Sequence, residues 1–240
     1  MNAQPFLSVV IPAYNEERRL PATLNSVLAY LKHCDYSWEV IVANDGSQDH
    51  TADLVQEFQK AIPNLILLDN AANRGKGFVV RQGVLRAQGE IILSMDADNS
   101  TKIEEVAKAL SEFERGADLV IGSRRLPGSK IIKLQPFYRR LFGEVFRLYV
   151  KILFGFPYDD TQAGFKAIQQ GAKEIFQRQT LWGWGFDVEL LWLAKLLRLK
   201  VKEIPINWEN SESSRVTFWR AARWPLDLLR VRLKRYKLDY

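Results

Sequence analysis

Two aspartates one residue apart, Asp96 and Asp98, follow the apolar run Ile91-Ile92-Leu93-Ser94-Met95, where a buried strand would surface. In extended backbone, residues i and i+2 point to the same face, so both carboxylates can reach one hard divalent cation. Mg2+ or Mn2+ suits such a site, because one or two carboxylates leave coordination positions for waters and substrate phosphates. An isolated Asp-x-Asp also reads as an ordinary turn. Two further segments change the weighting: Val9-Val10-Ile11-Pro12-Ala13-Tyr14-Asn15-Glu16 and Val40-Ile41-Val42-Ala43-Asn44-Asp45-Gly46-Ser47 are again apolar strands ending in polar clusters. In an open α/β sheet, ligands bind beyond the carboxyl ends of the strands, so the three clusters are expected to converge.

Other segments add cations. Asn73-Arg74-Gly75-Lys76-Gly77 sets two glycines and two basic residues at a helix start, where free N–H groups and the helix dipole favour anions. Its spacing is not that of a Walker loop. Gly122-Ser123-Arg124 ends a fifth apolar strand, and the planar guanidinium of Arg124 suits bidentate phosphate binding. Asn44-Asp45-Gly46-Ser47 has turn chemistry, while a carboxylate at a strand end can equally accept an N–H from a base edge. Asp187 and Glu189, two apart on a helix, do not face each other, so the paired carboxylates of a retaining glycosidase are not implied. His33, His50 and Cys34 support neither a zinc site, a Ser-His-Asp triad nor a disulfide framework.

These residues need a scaffold. Strands are expected at about 6–12, 38–43, 64–69, 90–95 and 117–122, with helices at about 21–32, 49–61, 76–87 and 102–115. That alternation is the pattern of an α/β, mostly parallel sheet flanked by helices. Beyond residue 122 the spacing predicts an amphipathic helix at 137–154, a second helix at about 186–198, a strand near 200–206, and a basic amphipathic C-terminal helix from about Thr217 to Lys237, restarted or kinked at Pro225. The expected division is a domain over 1–216 and the helix over 217–240.

The motif order IPAYNE, NDGS, NRGKG, DAD and GSR resembles glycosyltransferase family 2, whose members have the Rossmann-like GT-A fold and use nucleotide sugars. DTQAGFK (160–166), GFDVELL (185–191) and INWENSESSR (206–215) resemble one branch, the dolichyl-phosphate β-glucosyltransferases. The resemblance implies a UDP-sugar donor pocket of Pro12, Tyr14, Glu16, Asp45, Lys76, Asp96 and Ala97, with Asp45 reading uracil and Asp96 and Asp98 holding Mg2+ or Mn2+. It implies an acceptor-phosphate site of Arg124, Arg139, Arg140 and Arg215, Arg124 being counted with Asp96 and Asp98 as catalytic. Asp160, Gln162, Lys166 and Asp187, with Glu189, are expected to shape the sugar and acceptor side. The implied reaction is inverting transfer of a hexose, glucose first, from UDP-glucose to a polyprenyl or dolichyl phosphate. GDP-mannose remains a rival donor, although Glu209 stands where mannosyltransferase relatives often carry Arg. A noncatalytic nucleotide-sugar or lipid-binding protein is the rival of a different class.

Charge divides along the chain: the net is −6 over residues 1–120 and +12 over residues 121–240. Segregated positive charge calls for an anionic partner, and the absence of zinc-finger spacing or an RNA-recognition signature argues against nucleic acid. The segment Phe218 to Lys237 carries seven cations among aromatics and leucines. At 100° per residue Arg220, Arg223, Arg230 and Lys234 share one face, and Phe218, Ala222, Leu229, Leu233 and Tyr236 another. This reads as a helix lying on an anionic leaflet or, alternatively, packed on the sheet. With no run of 18 apolar residues and no leader-like start, the expectation is a cytoplasmic protein held peripherally at a membrane. The oligomeric state stays open.

Overall fold

The computed structural model describes residues 4–133, 137–210 and 224–236, and of residues 133, 138 and 139 the backbone only. Nine strands are described: β1 (Leu7–Ala13), β2 (Trp38–Asn44), β3 (Leu65–Asp69), β4 (Ile91–Ser94), β5 (Leu119–Ser123), β6 (Lys130–Lys133), β7 (Lys166–Gln169), β8 (Val201–Pro205) and β9 (Asn207–Glu209). The helices are α1 (Leu20–Leu31), α2 (Thr51–Ala61), α3 (Lys76–Arg86), α4 (Val106–Glu114), α5 (Phe137–Phe154), α6 (Glu174–Arg178), α7 (Phe186–Leu196) and α8 (Trp224–Leu233).

Seven strands form one sheet in the order β3-β2-β1-β4-β7-β5-β8, and β6 pairs with β9 beside it. Strand residues alternate between two cores. Leu7, Val9 and Ile11 of β1 pack with α1 and α4 on one face, while Val10 joins Val80, Val84 and the α5–α7 side chains on the other. Both faces are covered, which is why β1 is apolar almost throughout.

The chain leaves β1 for β2 on one side and later returns to place β4 on the other. That reversal opens a crevice at the carboxyl ends of β1 and β4, the position where open α/β sheets bind ligands.

The expected strands and helices of the first half are present, with bounds shifted by a few residues. At 102–115 a short 3-10 turn, Ile103–Glu105, precedes α4. The main departure is β7, which enters the sheet antiparallel to β4 and β5. Its sequence, Lys-Ala-Ile-Gln, is too short to show a period and begins at Lys166, the last residue of the DTQAGFK stretch read above for site residues. β6, β9 and α6 were not expected either.

The C-terminal helix is described from Trp224, with Pro225 in its first turn, and it ends at Leu233 rather than Lys237; residues 217–223 and 237 lie outside the described residues. Leu228 and Val231 are buried against the domain, and Leu226, Leu229 and Leu233 face outward. Tyr149 Oη donates to the Pro225 carbonyl at 2.7 Å, and Arg232 Nε to the Leu153 carbonyl at 3.1 Å. The single apolar face expected at Leu229, Leu233 and Tyr236 is therefore split, because α8 must also bury a face against α5 and α7.

Candidate active site

A cleft of about 590 Å³ lies over the carboxyl ends of β1, β2, β4 and β5. Its walls include Pro12, Tyr14, Glu16, Asp45, Lys76, Asp96, Ala97, Asp98, Arg124, Arg140, Asp160, Gln162 and Asp187. Of the residues singled out in the sequence, Lys166 lies behind the wall, Arg215 lies outside the described residues, and of Arg139 only the backbone is described.

At the switch point Asp96 is braced by Lys76, whose Nζ is 2.6 Å from Oδ1. Desolvation is the largest single influence on each group and opposes its charge. The carboxylates of Asp96, Asp187 and Asp98 outweigh it for Lys76, whose pKa is raised. Lys76, Lys166 and Arg124 outweigh it for Asp96, whose pKa is lowered. Both groups are therefore charged at neutral pH. Asp98 accepts from the Ser100 backbone N–H (3.0 Å) and hydroxyl (2.6 Å) through Oδ1, and its Oδ2 lies 3.8 Å from Arg19 Nη1. The Ala97 carbonyl between them accepts from Thr23 Oγ1 at 2.7 Å, which ties the aspartate turn to α1.

Arg19 was not anticipated. It also donates to Glu16 through Nε at 2.6 Å, so it links the ends of β1 and β4. Glu16 itself is held by its backbone N–H donating to Thr51 Oγ1 at 2.7 Å.

Asp45, at the end of β2, accepts from the backbone N–H groups of Arg74 (2.7 Å) and Gly75 (2.9 Å). Burial raises its pKa, and those two bonds partly offset the rise. A carboxylate has about four lone-pair sites, so two bonds leave capacity for a ligand donor. The loop that Asp45 holds is itself covered. Gly75 sits at φ +109°, where a Cβ would stand 2.5 Å from the Trp182 carbonyl oxygen, so only glycine fits. Gln179 Nε2 donates to the carbonyls of Gly77 and Leu181, and Lys76 Nζ lies 5.1 Å from the Trp184 ring centre.

Arg124 and Asp160, which also line the cleft, form a fork: Nε to Oδ2 at 2.6 Å and Nη2 to Oδ1 at 2.9 Å. Burial would raise the Asp160 carboxyl, but Arg124, its backbone N–H and Lys166 lower it to about 2. Glu203 of β8 fixes this corner by accepting from the backbone N–H groups of Asp159 and Asp160. The Arg124 guanidinium also lies 5.3 Å from the Trp208 ring centre. Arg125 and Arg147 pair with Glu144 on the rim of α5.

Lys166 and Asp187 form a buried ion pair at 2.6 Å, and Lys166 Nζ also donates to the Ala163 carbonyl. Glu189 differs from its neighbour Asp187. It is fully buried and accepts from Thr180 N and Oγ1, Leu181 N and Tyr236 Oη, so it holds the 180–181 backbone and the C-terminal segment to α7 instead of lining the cleft. The two-residue spacing explains the split, since on a helix it turns two side chains about 200° apart.

Among the described residues no cluster of three or more His, Cys, Asp or Glu side chains forms a metal-ligand set. The donors at the switch point are two carboxylates with hard oxygens, which fits Mg2+ or Mn2+ completed by substrate oxygens and waters. Gly164 backs that pair: the space its Cβ would fill is occupied by the Asp96 carboxyl group.

Comparison with known proteins agrees with this architecture. The family model "Glycosyl transferase family 2" matches residues 8–181. The chain is 37% identical to the dolichyl-phosphate beta-glucosyltransferase of Mus musculus, covering 95% of this chain and 75% of that one. It is 35% identical to one from Trichomonas vaginalis, covering 95% and 73%. Among solved structures, glucosyl-3-phosphoglycerate synthase from Mycobacterium tuberculosis in complex with Mn2+, uridine-diphosphate-glucose and phosphoglyceric acid has TM-score 0.69 at 18% identity, covering 95% of this chain and 79% of that one. The chain belongs to glycosyl transferase family 2, as a glycosyltransferase of the GT-A fold. Within that family it groups with the dolichyl-phosphate β-glucosyltransferases.

Proposed function

We propose that the protein transfers glucose from UDP-glucose to a dolichyl or related polyprenyl phosphate, giving a β-linked lipid phosphosugar. The observation that carries this reading is that one cleft is lined both by Asp45, Lys76, Asp96 and Asp98 and by the cations Arg124 and Arg140.

Pro12, Tyr14, Glu16 and Asp45 receive the nucleoside, with Asp45 accepting the uracil N–H and Lys76 contacting the diphosphate. Asp96 and Asp98 would hold Mg2+ or Mn2+, which would supply positive charge to offset that developing on the leaving diphosphate. Arg124 and Arg140, with Arg139 and Arg215 by resemblance, orient the acceptor phosphate. A guanidinium has five N–H donors, so the fork to Asp160 leaves Arg124 others for a phosphate. A phosphate monoester, with second pKa about 6, is already anionic near neutral pH and needs no strong general base. Attack opposite the leaving group inverts the anomeric carbon, so an α-linked donor gives a β product. Gln162 and Asp187 lie where they can shape the sugar pocket.

The lipid reaches the cleft from a membrane surface. Among the described residues no helix is long and apolar enough to cross a membrane. However, Phe137, Leu141, Val145, Leu148 and Ile152 of α5 are exposed, each by more than half. At 100° per residue they fall within an arc of about 80°. Leu226 and Leu233 of α8 are exposed as well, among Arg230, Arg232, Lys234 and Arg235. Apolar side chains ringed by cations suit the headgroup boundary of an anionic bilayer, so the protein docks there peripherally. The test is incubation with UDP-glucose, GDP-mannose and other sugar nucleotides beside a short polyprenyl phosphate, with lipid products identified by mass spectrometry. UDP-glucose is expected to give the dominant product, and a dominant mannosyl lipid would overturn the donor assignment.

A further inference from the structure

Across the antiparallel β4–β7 ladder, Ile91 faces Gln169 and Ser94 faces Lys166. Carrying that register two residues further sets Gly164 opposite Asp96. A Cβ on Gly164 would stand 2.1 Å from Asp96 Oδ2, 2.4 Å from Cγ and 2.6 Å from Oδ1. Those three nearest atoms all belong to the Asp96 carboxyl group. Gly164 does not have positive φ, so the backbone does not itself require glycine there. The reason for glycine is the carboxylate.

The segment has little room to withdraw. At one end Asp160 is forked to Arg124, and at the other Lys166 is paired with Asp187 at 2.6 Å. Lys76 Nζ holds Asp96 Oδ1, also at 2.6 Å. A methyl group at 164 must therefore rotate the Asp96 side chain or force the pinned segment apart.

We propose that Gly164 is a positioning residue for Asp96: its missing side chain holds the carboxylate in the rotamer that faces Lys76 and a divalent cation. The consequence for metal binding rests on the metal role proposed above, while the contact with Asp96 does not.

The experiment compares the wild type, Gly164→Ala, Asp96→Ala and the double variant. Gly164→Ala is expected to weaken Mn2+ binding, read by electron paramagnetic resonance, at least tenfold while metal-free UDP affinity by calorimetry stays within about twofold. Mn2+ binding equal to the wild type would overturn the proposal. If Gly164→Ala does not fold, the double variant is expected to fold as Asp96→Ala does, because the clash is removed with the carboxylate; a double variant that stays unfolded beside a folded Asp96→Ala overturns it. If the wild type binds no Mn2+, the metal reading fails and urea midpoints decide the contact. Gly164→Ala must then lower the midpoint more in the wild-type background than in Asp96→Ala, and equal shifts overturn it.

Discussion

Lys76 Nζ stands 2.6 Å from Asp96 Oδ1, joining the first residue of α3 to the carboxylate just past β4. In the function proposed above, Lys76 serves two partners, a metal-binding carboxylate and the donor diphosphate. Lys76→Met is expected to shift two affinities in opposite directions. Mn2+ alone should bind more tightly, since a competing positive charge is gone. UDP-glucose should bind about ten- to a hundredfold more weakly, the cost of one charge-assisted hydrogen bond. Calorimetry with each ligand separately checks this, and parallel changes would contradict it.

Acid should weaken the Arg124–Asp160 corner. The Asp160 carboxyl is lowered from 3.8 to about 2, so its contribution to stability is whole above about pH 4 and is lost as pH falls through about 2. The shift corresponds to roughly 2 kcal/mol at neutral pH. Asp160→Asn is expected to lower stability at pH 7 and to flatten the acid limb of the curve of urea midpoint against pH. An unchanged acid limb would show that Asp160 is not tied to Arg124 in solution.

The parallel half of the fold was legible because each strand is a continuous apolar run followed by a polar cluster, and the order of those clusters located the cleft. Strand β7 was not, because Lys166–Gln169 is short and its antiparallel entry depends on the pairing partners β4 and β5. For the same reason no sequence signal set Gly164 against Asp96. Arg19 stands in the charged run Glu16-Glu17-Arg18-Arg19, whose spacing does not single it out, although it bonds Glu16 and approaches Asp98. Glu189 was read with Asp187, and only the path of residues 180–181 and Tyr236 shows that it is satisfied internally.

Glu189 links the C-terminal segment to the loop over Gly75 and Lys76. Glu189→Gln would set amide hydrogens against the N–H groups of Thr180 and Leu181, at a cost of about 1–3 kcal/mol in stability. A raised KM for UDP-glucose with little change in lipid KM is expected, because residues 179–184 cover the Gly75–Gly77 loop proposed above to bind the donor. A change confined to the lipid KM would contradict that coupling.

Because Leu141, Leu148 and Ile152 of α5 are exposed, replacing all three with Ser should leave thermal stability nearly unchanged. Sedimentation with anionic vesicles should fall more than tenfold, since burying each side chain in a bilayer contributes about 1.5–3 kcal/mol. Undiminished vesicle binding would remove α5 from the membrane face.

The most direct measurement of the central claim is the lipid product formed from UDP-glucose labelled at the anomeric carbon and a short polyprenyl phosphate, followed by NMR with and without excess chelator. The expected result is a β-anomeric glucosyl phosphate lipid that forms with Mg2+ or Mn2+, ceases to form under chelation and returns when metal is restored. An α-anomeric product, or full turnover in excess chelator, would contradict the inverting, metal-dependent transfer assigned to this cleft.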